Sequence, residues 1–595
     1  MNDLTKIYTE RKEKFAAEAE ILRAKYVRFS LLRLLSFVVG ISVIILLFSS
    51  VNVAAGVVGI VVFLLLFSRF ISWHLKIKEA ADLAENLVKI NAAELRCTAQ
   101  DYSLFGAGKR FVDASHPYTT DLDIFGEHSY FQSINRTASA IGEERLAAYL
   151  KTPAELTEIT ARQEAVRDLS GKLEERQEFQ AVGLLTDDDI SHVQKLNEWL
   201  EEEPYISNNS VYKILIILAP IFTLTGLILW ITSIPWYAAI LFLLPAGIVL
   251  KQTVERVNIT HQKTNRAESI LAGYAAMMRQ LESMIFSAPR LQELQKVFLA
   301  GKAPASARIE KLSYIIGQLN LRYNFFAIFF NLAALWDLRQ VKALEKWRAE
   351  NKTRLPLWFE SLAEFEALNS LATDYFNNPE RTFPEINKAA VVRAKSIGHP
   401  LIPTEKRITN DIEIPTRGHL KLITGSNMAG KSTFMRTVGL NIVLAQIGAP
   451  VCAEKLSLPP LQVYTSMRTE DALHESTSSF YAELKRLKFI IEAVEKGENI
   501  FFLLDEILKG TNSVDRHTGS KALIKQLIEA KGSGMIATHD LELGSLEKEY
   551  GGAVENLRIE VRIEDGKLYF DYKVKPGVSE SFNATILMRE MGIRV

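Results

Sequence analysis

Cysteine is almost missing from this chain of 595 residues: only Cys97 and Cys452 occur, far apart and without His or Cys neighbours at metal-ligand spacing. That scarcity excludes a disulfide framework, argues against a zinc site and suits a reducing cytoplasm. An excess of either charge is missing too, because 70 Lys plus Arg face 70 Asp plus Glu. No global basic field announces nucleic acid, although a local basic face is compatible with that balance. Repeats and low-complexity tracts are absent. Apolar residues make up 48% of the chain, enough for several domains with large cores.

Two stretches lack charge altogether. Residues 34–68 and 214–250 contain no Asp, Glu, Lys or Arg. As single straight helices they would reach about 53–55 Å, far beyond a ~30 Å hydrocarbon core. Each therefore reads as two short helices with a tight turn. Ser49, Ser50, Val51 and Asn52 suit the first turn, and Thr232, Ser233, Ile234 and Pro235 the second. The alternative is a pair of hairpins buried in a soluble core. Arg23, Lys25, Arg28 and Arg33 precede the first run, and Arg69, Lys76 and Lys78 follow it; Lys213, Lys251 and Arg256 flank the second. Basic ends and uncharged turns leave every large segment in the cytoplasm, which points to a multi-pass membrane protein, in a bacterium the inner membrane. A secretory signal is not expected, since a charged segment precedes the first run.

The expected fold class is multidomain, α and α/β. Residues 1–80 form an N-terminal helix and transmembrane hairpin, with spans of about 34–50 and 51–68. A helical core follows in two parts, 81–210 and 252–383, separated by the second hairpin at 211–251. Residues 103–120 read as loop and short strand, and the apolar stretch 323–330 as a buried core helix. From 384 to 595 β-branched runs alternate with helical ones, the pattern of an α/β domain with a mainly parallel sheet. The strand-like runs are 389–394, 419–424, 462–467, 499–504 and 534–537. A hairpin closes the series around Asp565-Gly566.

Gly425, Ser426, Asn427, Met428, Ala429, Gly430, Lys431 and Ser432 fit G-x-x-x-x-G-K-[ST] without deviation, between a strand-like and a helix-like run. Glycines let backbone N–H groups approach phosphates closely. The Lys431 ammonium is expected on the β- and γ-phosphates of ATP, and the Ser432 hydroxyl on Mg²⁺. Residues 500–504 are apolar and end in Asp505 and Glu506, two carboxylates at the edge of a buried strand. Asp505 is expected to serve the Mg²⁺ shell and Glu506 to polarise the attacking water; alone, the pair could merely end a strand. His539 follows another apolar run and can reach the γ-phosphate, although a lone His is more often structural.

The motif order resembles the MutS family of DNA-mismatch-repair ATPases. The family's phosphate loop reads like residues 425–433, through Thr433, with Asn-Met inside it. Asp505 and Glu506 run on into Ile507, Leu508, Lys509, Gly510, Thr511 and Asn512, then into Ser513-Val514-Asp515, as that family's dimer-contact loop does. Ser478, Ser479 and Phe480 match the family's signature segment, which implies that Ser478 contacts the γ-phosphate held by a second copy; alone it could be a helix N-cap. The resemblance is tight over 385–592 and looser over 85–380, where Ser133 to Thr137, Gly142 to Leu146 and Arg162 to Val166 are similar to the helical core and lever.

The resemblance implies an ABC-type P-loop ATPase domain, ATP and Mg²⁺ as ligands, a homodimer, and duplex or mismatched DNA as a partner in repair. Departures accompany it. Nothing before residue 85 resembles the mismatch-reading domain, and no extra dimerisation segment is recognised after residue 582. The second apolar hairpin stands where core helices would extend into a DNA clamp. Lys388, Arg393, Lys395 or the 262–311 helices could contact phosphates, or could be solvated faces. The leading expectation is a membrane-anchored MutS-like ATPase. The alternative is a membrane-bound ATP-driven switch or scaffold acting on a protein assembly without DNA. An ABC transporter is disfavoured by a signature unlike Leu-Ser-Gly-Gly-Gln.

Overall fold

The computed structural model describes residues 3–186, 189–324, 327–426, 429–468, 479–564 and 567–579; the side chains of 192, 479, 561–564 and 567–568 lie outside that description. The protein is mostly helical, with mixed sheets confined to the C-terminal region.

Helices α1 (Asp3–Ser50) and α2 (Val53–Cys97) form one long antiparallel hairpin. Its turn falls at Val51-Asn52, where the Asn52 side chain accepts from the Ala55 N–H at 2.8 Å and caps α2. No proline interrupts either helix, so the apolar and charged halves are continuous, and the expected division at 80/81 falls inside α2. Gly40, Gly56 and Gly59 let the two backbones approach, each facing a Phe or Leu side chain of the other helix. The charged end of the hairpin is anchored. Tyr8 is buried and donates to Asn377 Oδ1 at 2.6 Å, while Phe15 packs with Leu87, Ile90 and Ala181.

The helical body follows as α3 (Tyr130–Ile134), α4 (Ala140–Lys151), α5 (Leu156–Ser170), α6 (Leu173–Gly183) and α7 (Ile190–Glu201). Next come α8 (Ser210–Thr232), α9 (Trp236–Ala239) and α10 (Leu244–Thr264), then α11 (Ala267–Ser283), α12 (Pro289–Leu299) and α13 (Ala305–Asn320). The body ends with α14 (Ala327–Ala334), α15 (Trp336–Asn351) and α16 (Leu355–Asn377). α16 is its axis, buried on nearly every face and packed by α4, α5 and α12. Residues 103–120 hold a 3₁₀ turn at Lys109–Phe111 in place of the expected short strand, because Gly108 at φ 62° bends the chain away from an extended path.

Four segments, α1, α2, α8 and Trp236–Thr264, are long and apolar enough to cross a membrane by length and composition, among the described residues. Their most apolar windows are only 0–17% buried. Neither hairpin buries its apolar windows against the rest of the described residues. The second turn falls at Ser233-Pro235 as expected, but the returning arm is broken by a 3₁₀ stretch at Ile240–Leu243, and the expected division at 251/252 falls inside α10.

The C-terminal region carries two sheets. β1 (Glu385–Ile386), β5 (Lys455–Leu458), β2 (Val391–Ile397) and β3 (Asn410–Pro415) form a small mixed sheet in that order. The larger sheet runs β10 (Lys567–Pro576), β9 (Val554–Glu564), β4 (Leu420–Thr424), β8 (Ser533–Thr538), β7 (Ile500–Asp505), β6 (Gln462–Ser466). Every neighbouring pair from β9 to β6 is parallel; only β10 and β9 are antiparallel. Helix α17 (Lys431–Ile447) is buried in the core shared with the helical body; α18 (Ser479–Glu495) and α19 (Ser513–Glu529) border a second core on the sheet. α20 (Leu546–Glu549) completes the region. The Asp565-Gly566 turn lies outside the described residues.

Candidate functional site

Strands β4, β8 and β7 lie side by side with their carboxyl ends level: Thr424 pairs with Thr538, and Asp505 with Ala537. Ligand-binding groups in open α/β sheets gather beyond such ends. All residues of β4 and β7 are buried, which fixes both exit points. The chain leaves β4 at Gly425 and enters α17 at Lys431. Gly425 sits at φ 152°, where a Cβ would lie 2.6 Å from the Ile559 carbonyl. Gly430, at φ 94°, caps α17, and a Cβ there would lie 2.8 Å from the Tyr572 ring. Both positions therefore require glycine.

Lys431 is 2% exposed, and its ammonium donates to the carbonyls of Gly425 at 2.7 Å and Ser426 at 2.9 Å. Burial lowers its pKa. The Ser432 hydroxyl donates to Asp505 Oδ2. The other oxygen, Asp505 Oδ1, is buried with no hydrogen-bond partner among the described residues, and burial raises this carboxyl's pKa. A hydroxyl beside a carboxylate with an unsatisfied buried oxygen is the donor set that Mg²⁺ takes, so the residues present fit that ion.

Glu506 adopts φ 51°, a strained conformation for a non-glycine residue, and this turns its side chain toward β8. His539 Nε2 hydrogen-bonds Glu506 Oε1, and His539 Nδ1 lies 3.2 Å from the Gly425 carbonyl. Both ring nitrogens thus face oxygen atoms of the site. Lys509 stands 3.1 Å from Glu506 Oε2. Hydrogen bonding from His539, aided by Lys509, holds the Glu506 carboxyl down to about 2.

The structure thus brings Gly425, Ser426, Ala429, Gly430, Lys431, Ser432, Asp505, Glu506 and His539 to one edge. Thr433 lies in the first turn of α17 and accepts through its carbonyl from Thr437 Oγ1 at 2.8 Å. Asn427, Met428 and Ser478 lie outside the described residues, as does the side chain of Ser479. Asn512 caps α19, accepting from Val514 N at 3.1 Å and Asp515 N at 2.9 Å, and donates to Asp515 Oδ2 at 2.7 Å. Both residues are exposed at the start of α19. Sequence reasoning gave no site role to Lys509, read only as part of the run 507–512, to Tyr572, or to Glu483, whose carboxylate accepts from the Leu508 N–H. Of the basic candidates, Arg393 is paired bidentately with Glu413 at 2.7 and 3.0 Å, and Lys395 with Glu454 at 2.6 Å. Those two read as solvated, neutralised sheet residues.

A parallel sheet that presents a glycine-rich turn at a helix start, with a carboxylate pair two strands away, has the layout of a nucleotide-phosphate site. The family model for MutS domain V matches residues 421–589, which include all of these side chains. Over those residues the chain carries a domain of the MutS family. It is 34% identical over 226 residues to the DNA mismatch repair protein MutS of Thermotoga maritima, covering 37% of this chain and 28% of that protein. The Fusobacterium nucleatum protein of the same name is 35% identical over 212 residues, 34% of this chain and 23% of its own length. That of Listeria monocytogenes is 31% identical over 233 residues, 38% and 27% respectively. The chain thus spans about a quarter of the length of the curated relatives it matches.

Proposed function

We propose that this chain is a membrane-anchored MutS-like ATPase that works as a homodimer and acts on duplex DNA in a mismatch-repair role. The observation that carries the ATPase reading is the convergence of Lys431, the Ser432–Asp505 pair and the Glu506–His539 pair at the ends of adjoining strands. In this reading Lys431 exchanges its loop carbonyls for the β- and γ-phosphates of ATP. Ser432 and Asp505 would hold Mg²⁺, which supplies charge neutralisation at the phosphates. Glu506, with its low pKa, stays ionised and orients the attacking water by accepting its hydrogen bond. The water oxygen bonds to the γ-phosphorus, the bond to the bridging oxygen breaks, and ADP and phosphate leave. His539 fixes Glu506 and faces the γ-phosphate. Ser478 and the Asn512–Asp515 loop of a second copy would complete the site.

The membrane reading is supported by exposed apolar helices with basic flanks, which orient the ATPase toward the cytoplasm. The DNA reading comes from the named relatives. Filter binding of detergent-purified protein to duplex and mismatched DNA, at several salt concentrations, tests it. Retention that falls with salt and prefers the mismatch is expected; absence of retention, with an ATPase rate indifferent to DNA, overturns the DNA role. One observation favours a second reading, an ATP-driven membrane switch acting on a protein assembly. The helical body leads through α8 and α10 into apolar surface instead of a basic clamp.

A further inference from the structure

Helix α14 is among the most apolar segments of the chain, yet it does not enter the core. Ala327 and Asn331 face inward, while Ile328, Phe329 and Phe330 are 61%, 59% and 57% exposed. The expectation of a buried core helix at 323–330 is thereby corrected for its described residues; 325 and 326 lie outside them. Local hydrophobicity predicts that a segment avoids water, but not which apolar medium receives it. α14 packs on α8 and α10, the two arms of the second apolar hairpin.

Its level along that hairpin follows from two hydrogen bonds. Thr223 Oγ1, midway along α8, donates to the Leu332 carbonyl at 3.1 Å. Arg339 Nη2, in the first turn of α15, donates to the Ile216 carbonyl at 3.0 Å. Thr223 stands ten residues beyond Lys213, about 15 Å along a helix. The corner from α14 through Leu335 (φ 50°) to α15 therefore reaches as far along α8 as half a ~30 Å hydrocarbon core.

These bonds are the kind a water-free setting demands. Pro220 lies inside α8 and has no N–H, so the carbonyl four residues earlier, that of Ile216, lacks its helical donor. Arg339 supplies one. Arg339 Nε also donates to the Ala334 carbonyl at 2.6 Å, and Thr223 serves that of Leu332, so two carbonyls at the open end of α14 are satisfied. Asn331 Oδ1 accepts from the Asp337 N–H at 2.9 Å across the corner. Arg322 and Asp337, 11% and 8% exposed at their side chains and 3.3 Å apart, clamp the base of the segment. At a surface in water those carbonyls need no protein donor; in hydrocarbon each one left open is costly. Ile216 is only three residues past Lys213, shallow enough for the Arg339 guanidinium to reach head groups.

We infer that the α14–Leu335–α15 corner is a re-entrant wedge embedded in the cytoplasmic leaflet, with its Ile328–Phe330 face against lipid acyl chains. The inference rests on the reading of α8 and α10 as spans. Lipid is the occupant because the neighbouring stripe of α8, formed by Ile217, Ile221 and Leu224, is itself 53–58% exposed and apolar.

The test uses the full chain with Cys97→Ser and Cys452→Ser, reconstituted into phosphatidylcholine–phosphatidylglycerol vesicles. Single cysteines, Ile328→Cys and Phe330→Cys, carry an environment-sensitive fluorophore. Leu224→Cys on α8 and Tyr314→Cys on α13, a residue 65% exposed, serve as references. Positions 328 and 330 are expected to match 224: quenched by lipids with doxyl-labelled acyl chains, and quenched by aqueous iodide several-fold less than 314. Iodide quenching at 328 and 330 equal to that at 314, with 224 still lipid-quenched, overturns the wedge alone. Iodide quenching at 224 overturns the spans and the wedge together. Protection at 328 and 330 from both quenchers refutes lipid contact and assigns the face to a protein partner.

Discussion

Arg339 donates to the carbonyl of Ile216 at 3.0 Å, and that carbonyl is the one from which Pro220 withholds a helical N–H. A side chain 123 residues away in sequence thus repairs a break in an apolar helix. Arg339→Ala is expected to lower stability in detergent micelles by about 1–2 kcal/mol. Pro220→Ala restores the N–H, so in that background the cost of losing Arg339 should shrink by about 1 kcal/mol. Denaturant titration of the four variants measures the coupling; strictly additive effects would show that the bond to Ile216 contributes nothing.

Lys431→Ala removes the ammonium that the glycine turn encloses. Nucleotide binding, followed by equilibrium dialysis with labelled ATP, should fall below detection while the far-ultraviolet circular dichroism stays unchanged. Glu506→Gln keeps the shape of the side chain and removes its charge. It should bind ATP, hydrolyse it at least about a hundredfold more slowly, and sediment as a dimer when ATP is present. Normal turnover by this variant would remove Glu506 from the water-orienting role.

Gly430→Ala sets a methyl group 2.8 Å from the Tyr572 ring at a φ of 94°. Strain in the turn and displacement of that ring should together cost about 1–3 kcal/mol and weaken ATP binding. A Gly430→Ala, Tyr572→Ala double variant should recover only the steric part. Full recovery would show that the left-handed backbone is not needed.

The carboxyl of Glu506 is held down to about 2, first by the hydrogen bond from His539. Its folded pKa lies below the ordinary carboxylate value of 4.5, so its stabilising contribution is complete above that pH and is lost as pH falls toward 2. The stability difference between the protein and its Glu506→Gln variant should therefore stay flat from neutral pH down to about 4.5 and narrow below it. A difference that already narrows between pH 7 and 5 would contradict the paired carboxylate.

The glycine turn and the two carboxylates were legible because their chemistry dictates spacing. Gly425 and Gly430 must take angles other residues avoid, and Asp505 must end a strand whose every residue is buried. The parallel strands were legible for a similar reason: continuous apolar runs such as 500–504 have few alternatives. β1, β3 and β5 were not foreseen. Strands with the alternating exposure of Asn410–Pro415, or as short as Glu385–Ile386, owe their state to partners distant in sequence. α14 shows the opposite limit, since its composition was read correctly and its surroundings were not. Lys509 and Tyr572 are ordinary in sequence and reach the site through the turn after β7 and the β10 backbone.

The hairpin of α1 and α2 carries a mechanical consequence. Tyr8 ties its base to Asn377 at the end of α16, and Glu94 bonds both Asn377, at 2.8 Å, and Arg136, at 2.5 Å. α2 alone runs 45 residues without interruption, roughly 68 Å of rod. A tilt of about 5° at that foot displaces the far tip by roughly 6 Å over such a length. Angular changes too small to break a single contact around Asn377 would thus arrive at the other extremity magnified to the width of a side chain.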